Sequence, residues 1–329
     1  MILLLQYTLL FASVLMLVAL GGCFAERSGV INIGLEGIMV IGALGGALVL
    51  KFLPVTVGAP VMVLVCVLVS ALFGMLFSLF LAVATINFKA DQTITGTAMN
   101  MLATAAATVI VKAMNTAASG GHDVSSDVWY THTKDLLLLR IGEFELNWFV
   151  VVAMVLLVVS YICLYKTRFG LRLRACGEHP QAADSVGINV YKMRYAGVLI
   201  SGLLGGLGGI VYITAGVSVW KFEYGVAGFG FLALAVMIFG NWKPLSTAGA
   251  AFLFGLCKCI AAGYSSIDIN GDKIYALKDL GDQLKNAGVD PGSLFRILPF
   301  LITLIVLAFT SKNSRAPKAE GIPYDKGSR

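Results

Sequence analysis

KTRFGLRLRACGEHPQAADSVGINVYKMR, running from Lys166 to Arg194, separates two strongly apolar segments and orients everything around it. It holds the basic residues Lys166, Arg168, Arg172, Arg174, Lys192 and Arg194 against only two acids, Glu178 and Asp184. Basic residues clustered at the ends of membrane spans stay on the cytoplasmic side. The segment is therefore placed inside the cell, and the rest of the chain is counted outward from it.

A small helix is written into this segment. Pro180 suits a first helical position, where its fixed φ fits and the missing N–H goes unused. Gly187 suits the stop, because it adopts a left-handed conformation without a Cβ clash. Ala182, Ala183 and Val186 between them are read as one shallow apolar face. Two turns of helix are unstable alone in water, so such an element needs something to dock against. Two readings stand at this point: a basic loop that only sets topology, or a coupling helix that seats in a cleft of a cytoplasmic partner.

The composition fits a membrane protein. Of 329 residues, 58% are hydrophobic and 13% charged, where a soluble domain carries about 25% charged. The net charge of +6 sits mostly in segments facing the cytoplasm, where anionic lipid attracts it; it is not a nucleic-acid footprint. The cysteines, Cys23, Cys66, Cys163, Cys176, Cys257 and Cys259, form no C-x-x-C pair and give neither a disulfide framework nor a zinc site. Leu20-Gly21-Gly22-Cys23 looks like a lipoprotein cleavage box, but no Lys or Arg precedes it. A first membrane helix is expected there instead.

Spans are expected near 3–24, 34–50, 60–85, 97–115, 147–165, 192–215, 228–242, 246–262 and 294–311, each measured against the roughly 20 apolar residues a spanning helix needs. The fold class is thus all-α, a polytopic membrane protein of about nine transmembrane helices. The shortness of 34–50, 228–242 and 246–262 suggests broken or re-entrant helices. The loop 116–146 carries Asp123, Asp127, Asp135, Glu143 and Glu145 against Lys134 and Arg140. The loop 263–293 carries Asp268, Asp272, Asp279, Asp282 and Asp290 against Lys273, Lys278 and Lys285. Both are net acidic and are expected outside. The tail 312–329, with Lys312, Arg315, Lys318, Lys326 and Arg329 against Glu320 and Asp325, is expected inside, after a permease domain over 1–311. Backward counting puts the N-terminus outside. Glycines cluster at Gly42, Gly45 and Gly46 and at Gly202, Gly205, Gly206, Gly208 and Gly209, a signal for close helix packing in lipid.

Two polar stretches lie at membrane depth. In Glu26–Gly37, Glu36 opens an apolar run with Asn32 four residues before it. A lone carboxylate there is costly, so a cation, a helix N-terminus or water has to compensate. The cluster either pins a broken helix or lines a pathway. In Asn87–Asn100, Thr93, Thr97 and Asn100 fall on one face. They make a polar stripe suited to a neutral hydroxylated ligand, unless the hydroxyls bond their own backbone one turn back. The candidate pathway residues are therefore Asn32, Glu36, Thr93, Thr97 and Asn100. There is no G-x-x-x-x-G-K-[ST] loop, and His122, His132 and His179 are isolated, so no catalytic or metal residue is assigned.

Three motifs together carry a family resemblance: ERSGVINIGLEGIMVIGA (Glu26–Ala43), RACGEHPQAADSVGINVYKMR (Arg174–Arg194) and GFGFLALAVMIFGNWKPL (Gly228–Leu245). They resemble permease subunits of bacterial ABC importers, in the nucleoside and simple-sugar branch related to the ribose and branched-chain amino-acid permeases. The resemblance implies a fold like the vitamin B12 importer-type permease and a multi-pass location in the bacterial plasma membrane with a cytoplasmic C-terminus. It implies three partners: a cytoplasmic ABC ATPase, a second and different permease, and an external substrate-binding lipoprotein. It also implies no cofactor on this chain, ATP-Mg being used by the ATPase, so the chain is a transport subunit rather than an enzyme. Within 166–194 it implies an ATPase contact built from Glu178, Pro180, Ala182, Ala183, Asp184, Val186 and Gly187. The expected cargo is a nucleoside, with a ribose-like sugar as the alternative. An ion-driven carrier using Glu36 or Asp91 is the rival of another class.

Overall fold

The computed structural model describes residues 2–54, 56–129, 137–141, 144–214, 219–263 and 316–327, with positions 282–286, 288, 290, 293–294, 297, 300–301 and 304–305 between them. The chain begins with α1 (Ile2–Arg27), α2 (Leu35–Phe52), α3 (Ala59–Ala82, continued by a π-helical turn over Val83–Asn87) and α4 (Gln92–Ala118). Short strands β1 (Asp127–Trp129), β2 (Leu138–Ile141) and β3 (Phe144–Asn147) lead into α5 (Trp148–Lys166), α6 (Arg168–Glu178), α7 (Pro180–Ser185) and α8 (Val190–Ile213). Then come β4 (Val219–Lys221), α9 (Phe229–Phe239) and α10 (Pro244–Gly263).

Among the described residues, seven helices are long and apolar enough to cross a membrane: α1 to α5, α8 and α10. They coincide with seven of the segments read from the sequence. The expected span 228–242 holds α9, a helix of only 11 residues. At 1.5 Å per residue that is about 16 Å, roughly half a hydrocarbon layer. The segment 294–311 and most of the loop 263–293 lie outside the described residues; positions 294, 297, 300, 301, 304 and 305 are helical. The strands are an addition to the all-α reading. β1 pairs antiparallel with β4, Val128 opposite Trp220, and β2 with β3, Leu139 opposite Leu146. Runs this short carry too little alternation to be read from sequence.

α8 packs against α1, α2 and α3. Its glycines let the backbones meet. A Cβ on Gly42 of α2 would lie 2.2 Å from Gly206 Cα, and one on Gly74 of α3 would lie 2.3 Å from Gly202 O. In lipid, where apolar side chains gain nothing by leaving one apolar medium for another, such close backbone packing is what draws helices together. α1 is enclosed from Ser13 to Ala25. α3 turns Leu64, Leu68, Leu72 and Leu76 outward, and α5 turns Met154, Val155, Val158, Val159 and Ile162 outward, as faces meant for lipid should.

The ends of the bundle are distinct. Arg27, closing α1, reaches Glu178 at the end of α6 (Nη1–Oε1 3.7 Å), so α1 runs toward the end that carries 166–194 and begins at the opposite one. At that opposite end, Asn115 of α4 donates to the backbone oxygens of Ser125 (3.0 Å) and Asp127 (2.8 Å).

Candidate functional site

Between α1 and α2 the chain leaves helical geometry over residues 28–34, with Gly29 at φ +94°. Backbone groups freed inside a membrane must find partners within the protein. α4 supplies them. The Ile31 N–H donates to Gln92 Oε1 (2.6 Å), the Gly37 N–H to Asn100 Oδ1 (2.7 Å), and Asn100 Nδ2 donates to Ile33 O (3.0 Å). Asn100 therefore closes the break from both sides and caps the first turn of α2, whose own preceding residue, Gly34, has no side chain to do so.

In the first turn of α2, Glu36 performs the same service for α9. Its Oε1 accepts from the Gly228 N–H (2.7 Å) and its Oε2 from the Gly230 N–H (2.6 Å). A carboxylate at a helix N-terminus gains both charge-assisted hydrogen bonds and the helix dipole. The strand-to-helix approach is bent to allow this: Ala227 sits at φ +52° and Gly228 at φ +78°. Thus the two shortened helices share one junction, α2 capped by Asn100 and α9 capped by Glu36 from α2 itself.

The five candidate pathway residues separate into two groups. Asn32, Glu36 and Asn100 belong to the junction; Asn32 is buried and donates to Ser201 Oγ of α8 (2.8 Å). Thr93 and Thr97 lie exposed on α4, and the Thr97 hydroxyl donates to Thr93 O (2.8 Å). Half-buried Thr104 continues the row, donating to Asn100 O (3.3 Å). Farther along α4, Lys112 pairs with Glu223 (2.6 Å). Gln92 as a bridging residue and Thr104 as a member of the row are additions; the i, i+4 spacing beyond Asn100 was the available signal. Asp91 caps α4, accepting from the Ile94 N–H (2.8 Å).

At the 166–194 end, Thr167 breaks α5 from α6 and caps α6 through the Gly170 N–H (3.1 Å). α7 begins at Pro180, and Gly187 follows at φ +83°, as the sequence implied. The shared face assigned to Ala182, Ala183 and Val186 is corrected. Ala183 is only 4% exposed and packs with Cys176, Val190 and Tyr324, whereas Ala182 is exposed and Val186 is 74% exposed. Consecutive residues point about 100° apart on a helix, so Ala183 turns inward with Pro180 while Ala182 and Val186, at i and i+4, point out. Glu178 faces Arg27, and Asp184 lies beside the Tyr324 hydroxyl.

The tail closes over this end. The Ala319 N–H donates to Gly177 O (2.8 Å), Arg194 Nη1 donates to Ile322 O (2.9 Å), and Lys89 pairs with Asp325 (3.0 Å). That pairing holds the exposed Asp325 carboxyl below the usual carboxylate range. Among the described residues, no group of three His, Cys, Asp or Glu side chains could hold a metal ion.

Comparison with known proteins agrees with this architecture. A guanosine ABC transporter permease protein of Bacillus subtilis, NupQ, is 41% identical over 326 residues, 98% of this chain and 96% of that one. A nucleoside ABC transporter permease protein of Lactococcus lactis, NupC, is 36% identical over 324 residues, 97% of this chain and 95% of the relative. A putative glucose ABC transporter permease protein of Haloferax volcanii, TsgC13, is 29% identical over 312 residues, 93% and 91% of the two. The model of the branched-chain amino acid transport system permease component matches residues 4–307. With that match spanning almost the whole helical bundle, the chain belongs to this family of transport permeases.

Proposed function

We propose that the chain is the membrane permease of an ATP-driven importer whose cargo is a nucleoside. The observation that carries this is the pair of relatives at 41% and 36% identity, matched almost end to end, whose names specify guanosine and nucleoside. The 166–194 segment and the tail 312–329 lie in the cytoplasm, and the acidic loops 116–146 and 263–293 lie outside. The segment 294–311 is the ninth membrane segment of a vitamin B12 importer-type fold. A cytoplasmic ATPase binds ATP-Mg and meets α7 through Ala182 and Val186. Its closure pulls on α7 and tilts α5 and α8, which α6 and α7 connect, alternating the access of the path.

The path runs along the row Thr93, Thr97 and Thr104 of α4, against a second permease, and receives its cargo from an external binding lipoprotein. Thr97 and Thr104 donate to their own backbone one turn back, which leaves the hydroxyl oxygens of the row as acceptors for a polyhydroxy ligand, without the cost of moving it past a buried charge. Asn32, Glu36 and Asn100 serve the path from behind, fixing the broken helices that flank it. Glu36, engaged by two backbone donors, is a cap rather than a proton carrier.

The test is uptake of radiolabelled guanosine, with ribose as competitor, in cells lacking this chain and in cells where it is restored. Restored guanosine uptake that ribose does not suppress, and that an uncoupler leaves intact while ATP is maintained, is the expected outcome. Uptake abolished by the uncoupler at constant ATP would overturn the ATP-driven reading.

A further inference from the structure

We propose that the C-terminal tail is a strap that positions the coupling helix, with Tyr324 as its positioning residue. The inference rests on α7 being that helix. α7 has six residues, too few to hold its shape without a partner. The tail supplies one. Tyr324 is 4% exposed, meets the Tyr191 ring edge-on at 5.3 Å, packs with Ala183 and Cys176, and sets its hydroxyl beside Asp184.

Either side of that tyrosine, the strap is tied to other elements at the same end. It is held to α6 by the Ala319 N–H on Gly177 O, to α8 by Arg194 on Ile322 O, and to the α3–α4 connection by Lys89 on Asp325. Glu320 lies against Glu26 near the end of α1. One short segment thus joins the last turn of α1, α6, α7, the base of α8 and the entry to α4. A helix that only rested on its neighbours would yield when pushed. A helix bonded through the strap to α8 and to the α4 entry passes the displacement on to them. Tyr324 does not touch the ATPase surface, which consists of the opposite side of α7.

Cys176 reports strap closure independently of transport. It is buried beneath Tyr324, and burial pushes its thiol up to about 11, so it is unreactive while the strap is seated. In the complete transporter reconstituted with its ATPase and binding protein, Tyr324→Ala, Tyr324→Phe, Val186→Glu and a stop at Ala316 are compared. A soluble maleimide is located on Cys176 by peptide mass, and cargo moved per ATP hydrolysed is measured alongside. Tyr324→Ala and the truncation are expected to speed Cys176 labelling by about tenfold or more, through freer local opening, and to lower cargo per ATP several-fold. Tyr324→Phe, which keeps the ring, restores both.

Unchanged labelling in Tyr324→Ala overturns the strap. Faster labelling with normal cargo per ATP overturns its positioning role and leaves only a cover. Val186→Glu, which leaves the strap contacts untouched, separates the two levels of the argument. If it transports normally, the coupling-helix reading fails; if it abolishes transport while Tyr324→Ala does not, only the strap fails.

Discussion

Glu36 shows what a single side chain discloses before its partners are known. A carboxylate opening an apolar run needs compensation, and the sequence narrows that to a cation, a helix N-terminus or water. Which one was illegible, because the donors, Gly228 and Gly230, lie 192 and 194 residues away in sequence. The same holds for Asn100, whose partners Ile33 and Gly37 sit 67 and 63 residues back. Capping by both oxygens sets the expected mutational order. Glu36→Gln keeps one acceptor and turns an N–H donor toward the other backbone N–H; Glu36→Ala frees both donors. Each lost charged hydrogen bond costs about 1.5–3 kcal/mol. The purified protein should therefore melt lower in Glu36→Gln and lower again in Glu36→Ala, while residual uptake in Glu36→Gln stays indifferent to an uncoupler. A melting point unchanged in Glu36→Ala would remove the cap from the account. Glu320 makes a pH prediction. Burial raises its carboxyl above the usual range, although the nearby Arg27 pulls the other way. A carboxyl raised in the docked state holds more protons there than in the open state, so docking is favoured at low pH and weakens as pH climbs through the raised value. The ratio of Cys176 labelling in the parent to that in Glu320→Gln cancels the thiol's own titration. It should rise with pH, and a flat ratio would show that Glu320 does not govern the tail.

At the scale of the element, the coupling helix shows where sequence logic holds and where it slips. Pro180 and Gly187 fixed its limits because their backbone preferences are intrinsic. Its inward and outward faces were not fixed, because that depends on Tyr324, a residue 141 positions beyond Ala183 in sequence that no local pattern connects to it. The correction changes the useful experiment. Ala183→Glu would place a charge among Cys176, Val190 and Tyr324, with a burial penalty that dislodges the tail, so loss of transport there is ambiguous. Ala182→Glu and Val186→Glu project outward and should leave expression and membrane insertion near normal. Both are expected to abolish uptake and the stimulation of ATPase activity by loaded binding protein. Normal transport in either would mean that α7 is not the contact.

For the whole molecule, length and charge carried most of the reading. Spans of 18 residues or more declared themselves by apolar composition alone, and the run of glycines on α8 declared close helix packing. The shortness of 228–242 was legible as a broken helix; its 11-residue extent was not, because that apolar window includes Gly240, Asn241 and Trp242, which lie beyond the last helical turn of α9. Orientation is the property that charge predicts and that a labelling experiment tests directly. All six cysteines are buried or half-buried, so background reaction is low. Ser126, within the acidic loop 116–146, is buried beside the β1–β4 pair and would report poorly. Val124, 65% exposed at the end of the bundle away from α6, is the better choice, and Ser185, exposed on α7, is its counterpart. In intact cells an impermeant thiol reagent should label Val124→Cys and spare Ser185→Cys, and permeabilisation should expose the second. Since the two sites lie at opposite ends of one bundle, the reverse pattern would invert the entire molecule. It would put α7 and the strap on the side where no ATPase exists, leaving the transport reading without its source of energy.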